Sequence, residues 1–338
     1  MYIQARIYLK QLLYQKPIIW KVVEAFQGLQ YSFDYYYYYK WRGRKDRLSV
    51  REINIEFASQ CNLRCRFCSL DHSKPKTLIT EEILDRFFLE LITNDRFRQV
   101  EIINLHNGGE ILLHPKRLEM LGVVKKYKEQ ARQLGIKFPK IFLLTNGMLL
   151  REKLAQQIID LDVVDVIGLS MDGGSPEAFE EMRVQAKWPI FYQNLKTFCR
   201  LNDAAGHPIE TYCICCIPDE RPLNTKWMDP EFRNALETLD RYELRKLHNW
   251  AGELQDALQR KRKPHKIGCA LLMKQLVLLP NGDVTVCCND LNAKGVIGNI
   301  MQDELVDIYD SPERLNYLEK LLKGKKSELE LCKDCETF

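Results

Sequence analysis

Cys61, Cys65 and Cys68 fall within eight residues, directly behind a short stretch of alternating apolar and polar residues. In a reducing compartment, thiols clustered so tightly on one loop are more often metal ligands than disulfide partners. A cubane iron–sulfur cluster normally takes one cysteine per iron, so three thiolates leave one iron open to a small ligand. Zinc would need a fourth ligand, for which His72 is the one candidate nearby; three inert thiols are the remaining alternative. Asn62, Arg64 and Arg66 suit a loop that wraps a cluster, and Phe67 suits packing on a planar ligand.

Five further cysteines, Cys269, Cys287, Cys288, Cys332 and Cys335, form a second set that includes a Cys-x-x-Cys pair. Four of them would serve a tetrahedral zinc as well as a cubane. Cys213, Cys215 and Cys216 lie on an expected strand, the first two on one face and the third on the other. Packing is the plain role for such thiols, and lining a substrate space is the alternative if Cys213 and Cys215 face inward.

Three polar turns recur between the cysteine sets: Gly108-Gly109-Glu110, Thr145-Asn146-Gly147 and Ser170-Met171-Asp172-Gly173. Glycine lets a backbone approach a ligand closely, and a carboxylate accepts from an ammonium group. Singly, each is a common turn. What makes them informative is where they fall.

Alternation and helical spacing predict strands at 53–57, 100–105, 141–145, 163–170, 209–217 and, less sharply, 244–248. Helices are expected between them: one N-capped by Thr80, one over 116–134 ended by Gly135, one over 150–161, and one ending near Gly206. Six strand–helix units imply an α/β fold, a partial (β/α)6 barrel resembling a TIM barrel, with function at the C-terminal strand ends. Each polar turn ends one of these strands. Beyond a basic linker at 249–268, short strands at 276–279 and 284–287 flank Asn281-Gly282, a hairpin signal, and a helix is expected over 303–323. The organisation is therefore 1–50, a helical and aromatic extension packed on the main domain; 51–250, the core; and 251–338, a linker and a small α+β domain. Within the extension, Leu12, Leu13, Ile18, Ile19, Val22, Val23 and Phe26 suggest two amphipathic helices broken near Pro17.

The formal charge of +4, from 50 basic and 46 acidic side chains, argues against nucleic acid as a partner. There is no apolar run of 18 residues and no signal-peptide pattern, so the expectation is a cytoplasmic protein without a membrane partner.

Cys-x3-Cys-x2-Cys after the first strand of a six-fold β/α chain resembles the signature of the radical SAM superfamily. The resemblance implies a 4Fe–4S cluster on Cys61, Cys65 and Cys68 whose open iron is chelated by S-adenosylmethionine (SAM). The reduced cluster then cleaves SAM to a 5′-deoxyadenosyl radical that abstracts a substrate hydrogen atom. Gly108-Gly109-Glu110 is similar to the family's GGE motif, with Ile111 where proline often follows. Ser170-x-Asp172-Gly173 resembles the SxDG turn facing the SAM carboxylate and ribose, and Asn146 joins the SAM site. Arg183 stands one residue late for the family's arginine.

Cys269-x12-Gly282-x4-Cys287 and Gly298-Asn299-Ile300 resemble the SPASM/twitch domain of the same superfamily. That implies one auxiliary 4Fe–4S cluster on Cys269, Cys287, Cys332 and Cys335, the shorter twitch form being favoured, as in aminocyclitol dehydrogenases of that type. In sulfatase-maturing relatives an Asp directly after the corresponding cysteine acts as a base. Cys288 takes that place and Asp290 lies two further on, so a hydrogen-donating Cys288 and a proton-accepting Asp290 are the catalytic candidates, against simple packing of Cys288. The implied partners are a flavodoxin- or ferredoxin-type electron donor, a peptide or small-molecule substrate, and a separate leader-peptide-binding protein. Modification of a ribosomally made peptide or protein is the first expectation. Dehydrogenation or epimerisation of a sugar or aminocyclitol is the second, and a non-catalytic iron–sulfur or zinc scaffold is the third.

Overall fold

The computed structural model describes residues 50–254 and 269–335, together with Val22, Phe26, Leu29 and Phe33. The expected break at Pro17 and most of the 249–268 linker lie outside the described residues.

Among the described residues eleven strands are formed: β1 (Glu52–Ile55), β2 (Arg64–Cys65), β3 (Ile102–Leu105), β4 (Lys140–Thr145), β5 (Val166–Ser170), β6 (Arg183–Val184), β7 (Glu210–Ile217), β8 (Arg241–Lys246), β9 (Gln275–Leu278), β10 (Asp283–Thr285) and β11 (Val296–Asn299). Nine of them make one sheet in the order β11-β10-β9-β1-β3-β4-β5-β7-β8. The six expected strands are parallel neighbours within it, joined by crossover helices. The barrel is open: β8 edges the sheet, and β1 takes β9 as its second neighbour, in parallel register from Glu52↔Gln275 to Ile55↔Leu278. The small C-terminal α+β unit thus continues the main sheet.

The helices form where apolar spacing and caps agree. Helix α1 (Glu81–Thr93) starts at Thr80, whose hydroxyl accepts from Ile83 N, and buries Ile83, Leu84, Phe87, Phe88, Leu91 and Ile92. Helix α2 (Arg117–Gln133) ends before Gly135, at φ +66°. Then come α3 (Glu152–Leu161), α4 (Pro176–Met182), α5 (Trp188–Ala204), α6 (Pro230–Glu237) and α7 (Ala270–Lys274). The single helix expected over 303–323 is two, α8 (Leu305–Tyr309) and α9 (Pro312–Leu322). Pro312 cannot continue a helix from Ser311, whose hydroxyl instead caps α9 by accepting from Arg314 N.

One correction bears on function. The strand expected over 284–287 stops at Thr285, so Cys287 and Cys288 sit in a turn. Most of the extension expected to pack on the core lies outside the described residues, and Val22 and Phe26 within it are helical and 65% and 72% exposed. Among the described residues no helix is long and apolar enough to cross a membrane.

Candidate iron–sulfur and SAM site

The cysteine loop follows β1 and is zipped onto a segment more than a hundred residues away. β2 pairs antiparallel with β6, placing Cys65 opposite Arg183, and Arg66 N donates to Met182 O at 2.9 Å. On the other side Glu110 N donates to Gln60 O at 2.8 Å. Gly109 allows that approach: a Cβ there would stand 1.6 Å from Ala58 O. Glycine at this turn therefore serves the docking of the cysteine loop.

Glu110, 3% exposed, joins the ends of two strands. Its Oε1 accepts from Thr145 Oγ1 (2.7 Å) and Leu112 N (3.1 Å), and its Oε2 from Asn146 N (2.8 Å). Burial raises its pKa, against these hydrogen bonds. Asn146 in turn donates to Asn62 Oδ1 at 2.8 Å and lies 3.8 Å from Cys61 Sγ.

Asp172, 1% exposed, is held by Arg183 Nε (2.6 Å) and Nη2 (2.5 Å), and accepts from Cys216 N at 2.5 Å. Arg183 also lies 5.6 Å from the centre of the Phe67 ring. Phe67, Arg183 and Asp172 thus form one stack beside Cys65, and the arginine one residue late in sequence is drawn in by the β2–β6 pair. Ser170, half-buried, ends β5, and Gly173 at φ +98° packs its backbone against Ala178. Gly108 N donates to Glu56 Oε2 at 2.7 Å.

Burial pushes the Cys61 and Cys65 thiols up to about 11 and raises Cys68, with Arg183 pulling the latter two back. Metal binding must therefore displace their protons, as thiolate ligation does.

The second cysteine set forms its own site. Cys269, Cys287, Cys332 and Cys335 line one pocket, closed by Leu272, Val286, Leu321, Leu331 and Tyr317. Cys335 N donates to Cys332 O at 3.1 Å, the tight turn a Cys-x-x-Cys pair needs. Among the described residues no three His, Cys, Asp or Glu side chains close on one point as a single metal ion requires. A cubane takes a thiolate at each of its four corners, and the pocket's four thiols and apolar walls fit it. Burial pushes Cys269 up to about 11 and Cys332 to about 12.

Cys288 does not line this pocket. Its thiol interacts with that of Cys287. Its backbone N donates to Gln275 Oε1 at 3.3 Å. Asp290, expected as a proton acceptor, accepts from Thr285 Oγ1 (2.5 Å), Lys294 N (2.8 Å) and Gly295 N (2.7 Å). That is the geometry of a loop anchor, because each oxygen already has a donor from the loop's own backbone.

Cys213 and Cys215 are fully buried in the hydrophobic core, and Cys216 lies on the opposite, inner face of β7. That inner face carries polar residues that motif reading overlooked. Asn104 Nδ2 donates to Asn54 Oδ1 (2.9 Å) and to Glu52, and Gln275 Nε2 donates to Glu52 Oε1 (3.0 Å). Further along, His106 packs edge-on to Phe142 and Phe142 to Tyr212, whose hydroxyl donates to Glu243. The available signal was the alternation Glu52, Asn54, Glu56 against Ile53, Ile55, Phe57, which separates the faces without saying which is enclosed. Asn54 and Glu56 are 1% and 2% exposed.

Residues 55–222 match the radical SAM superfamily, and residues 269–336 match SPASM, an iron-sulfur cluster-binding domain. The chain belongs to the radical SAM superfamily and carries a SPASM domain. It is 26% identical over 289 residues to the antilisterial bacteriocin subtilosin biosynthesis protein AlbA of Bacillus subtilis, matching 76% of this chain and 59% of AlbA. It is 24% identical to the SAM-dependent 2-deoxy-scyllo-inosamine dehydrogenase of Niallia circulans, over 84% of this chain and 91% of the enzyme. Its fold is similar to that of Streptococcus suis SuiB bound to precursor peptide SuiA, with a TM-score of 0.64 and 14% identity over 86% of this chain and 72% of that one. Both domains bring 4Fe–4S chemistry, and the superfamily brings SAM.

The radical SAM core makes the Asp172–Arg183 pair testable. Removing one partner of a buried ion pair strands the other, and Arg183→Ala is expected to lower stability by about 3 kcal/mol. Urea denaturation reads this, and an unchanged midpoint would show that the pair does not hold β6 in place.

Proposed function

We propose that this chain abstracts a hydrogen atom from a ribosomally made peptide or protein, modifying it by crosslinking, epimerisation, oxidation or backbone excision. The observation that carries this reading is the joining of the three-cysteine loop to the ends of β3, β4 and β5 by Gln60, Glu110, Asn146 and Arg183. Bound there, the cluster and SAM would supply the radical chemistry that breaks a substrate C–H bond.

The chain's own residues bind and orient. Oε2 of Glu110 accepts from Asn146 N and has a lone pair left for the methionine ammonium. Phe67, Ser170, Asn146 and the Gly108-Gly109 backbone complete the proposed SAM site, and Asp172 acts through Arg183. The enclosed strand ends keep water from the reactive centre. A cluster held by Cys269, Cys287, Cys332 and Cys335 in the second pocket would have no open iron and would serve electron transfer or structure. A flavodoxin- or ferredoxin-type protein is the proposed electron donor, and a separate protein would present a leader peptide.

The relation to AlbA over three quarters of the chain supports a peptide. Since the chain spans 59% of AlbA, the activity of AlbA as a whole is not carried across. A second reading, dehydrogenation of an aminocyclitol or sugar, is favoured by the inner face itself. Glu52, Asn54, Asn104 and Gln275 are hydrogen-bonding groups suited to hydroxyls. The test is formation of 5′-deoxyadenosine with a mass change in a candidate peptide. Turnover of 2-deoxy-scyllo-inosamine with no peptide modified would overturn the first reading in favour of the second.

Cys288 sits between the auxiliary pocket and this inner face, through Gln275. Cys288→Ala is expected to keep both clusters and cleave SAM, yet release less product per 5′-deoxyadenosine. Full coupling would make Cys288 packing, and loss of the auxiliary cluster would make it a ligand.

A further inference from the structure

The exposed apolar residues of the extension have no role in the chemistry above. Val22, Phe26 and Leu29 are helical and 65%, 72% and 69% exposed, and Phe33 continues their spacing. Steps of four, three and four residues place all four side chains within about 60° of one another around a helix. Large apolar side chains in such a stripe, turned to solvent, mark a contact surface.

The composition around the stripe says what covers it. Residues 1–49 hold nine Lys and Arg against three Asp and Glu, a net +6, whereas the whole chain is +4 and the remainder is therefore −2. The same 49 residues hold 11 of the chain's 20 Tyr and Trp, including residues 35–39 and Trp41, followed by Arg42, Arg44, Lys45 and Arg47. Tyr and Trp favour the boundary between headgroups and acyl chains, and Lys and Arg favour anionic headgroups. A helix with an exposed apolar stripe and a basic, aromatic setting is built to lie in that boundary.

We propose that residues 1–49 dock this protein on an anionic lipid bilayer, with Val22, Phe26 and Leu29 entering the headgroup boundary and the basic residues meeting lipid charge. The expectation of no membrane partner rested on the lack of an apolar run long enough to span. A helix lying in the surface needs none. The docking would keep the strand ends and their substrate near the membrane.

Flotation of the full chain with vesicles tests this. With phosphatidylcholine vesicles containing about one third phosphatidylglycerol, the protein is expected to bind at least about tenfold more tightly than to phosphatidylcholine alone. Salt at about 0.5 M should release it. The variant Val22→Glu/Phe26→Glu/Leu29→Glu should lose that binding while keeping its iron content and thermal midpoint, since these side chains are exposed. Equal binding to both vesicles, no binding to either, or an undiminished variant would overturn the proposal. So would a dimer in the absence of lipid that the variant converts to monomer, which would make a second copy of this chain the occupant.

Discussion

Replacing Cys61, Cys65 and Cys68 together with alanine is expected to halve the iron of the anaerobically reconstituted protein, from about eight atoms per chain to about four. SAM cleavage should fall to background. The three thiols sit on one loop after β1, and the four cysteines proposed as ligands of the other cluster line a separate pocket more than two hundred residues on. The remaining iron should therefore stay, held by Cys269, Cys287, Cys332 and Cys335. Loss of all iron would mean that the two sites assemble as one, and unchanged iron would remove the first loop from metal binding. The reciprocal substitution of Cys332 and Cys335 should leave about four irons on the SAM-binding side.

The second large effect is expected at Gly109. A Cβ at this position would lie 1.6 Å from Ala58 O and 2.8 Å from Gln60 O, both backbone atoms of the segment leading into the cysteine loop. Backbone cannot turn aside as a side chain does, so Gly109→Ala must break the Glu110 N to Gln60 O bond and push the loop away. Glu110 would then lose its place between Thr145, Asn146 and Leu112. The expected cost is about 3 kcal/mol or more, with loss of the first cluster and of SAM binding. Gly108→Ala is the control. Its Cβ would meet Glu56 Oε2 at 3.0 Å and Leu70 Cδ1 at 3.1 Å, both side-chain ends that can shift. Iron content and thermal midpoint together separate the two variants, and equal behaviour would show that loop docking does not depend on Gly109.

The strands and both cysteine sets were legible because their signals are local: alternation over five to eight residues, and thiols a few positions apart. What stayed hidden is non-local. Nothing near Cys65 announces Arg183, yet β2 and β6 pair across 118 residues, which explains how an arginine off the usual spacing joins the site. Nothing in the C-terminal hairpin announces that β9 will pair with β1. The alternation Asn54, Ile55, Glu56 separated two faces correctly, but whether the polar one meets water depends on what the curved sheet encloses. The break before Pro312 was legible in Ser311-Pro312, a cap followed by a residue that cannot donate. The turn at Cys287 and Cys288 was not, because Val284 to Val286 read as a strand in either case. Asp290 could be placed near the auxiliary cluster by spacing, while its bonds to Thr285, Lys294 and Gly295 depend on the loop's closure.

Electron paramagnetic resonance of the reduced, anaerobically reconstituted protein, recorded before and after addition of SAM, tests most directly that this chain pairs a SAM-binding cluster with a closed auxiliary one. The expected result is two cubane signals, of which SAM shifts the one lost in the Cys61→Ala/Cys65→Ala/Cys68→Ala variant and leaves the other unmoved. A spectrum indifferent to SAM, or tightly bound zinc in place of the second cluster, would contradict it.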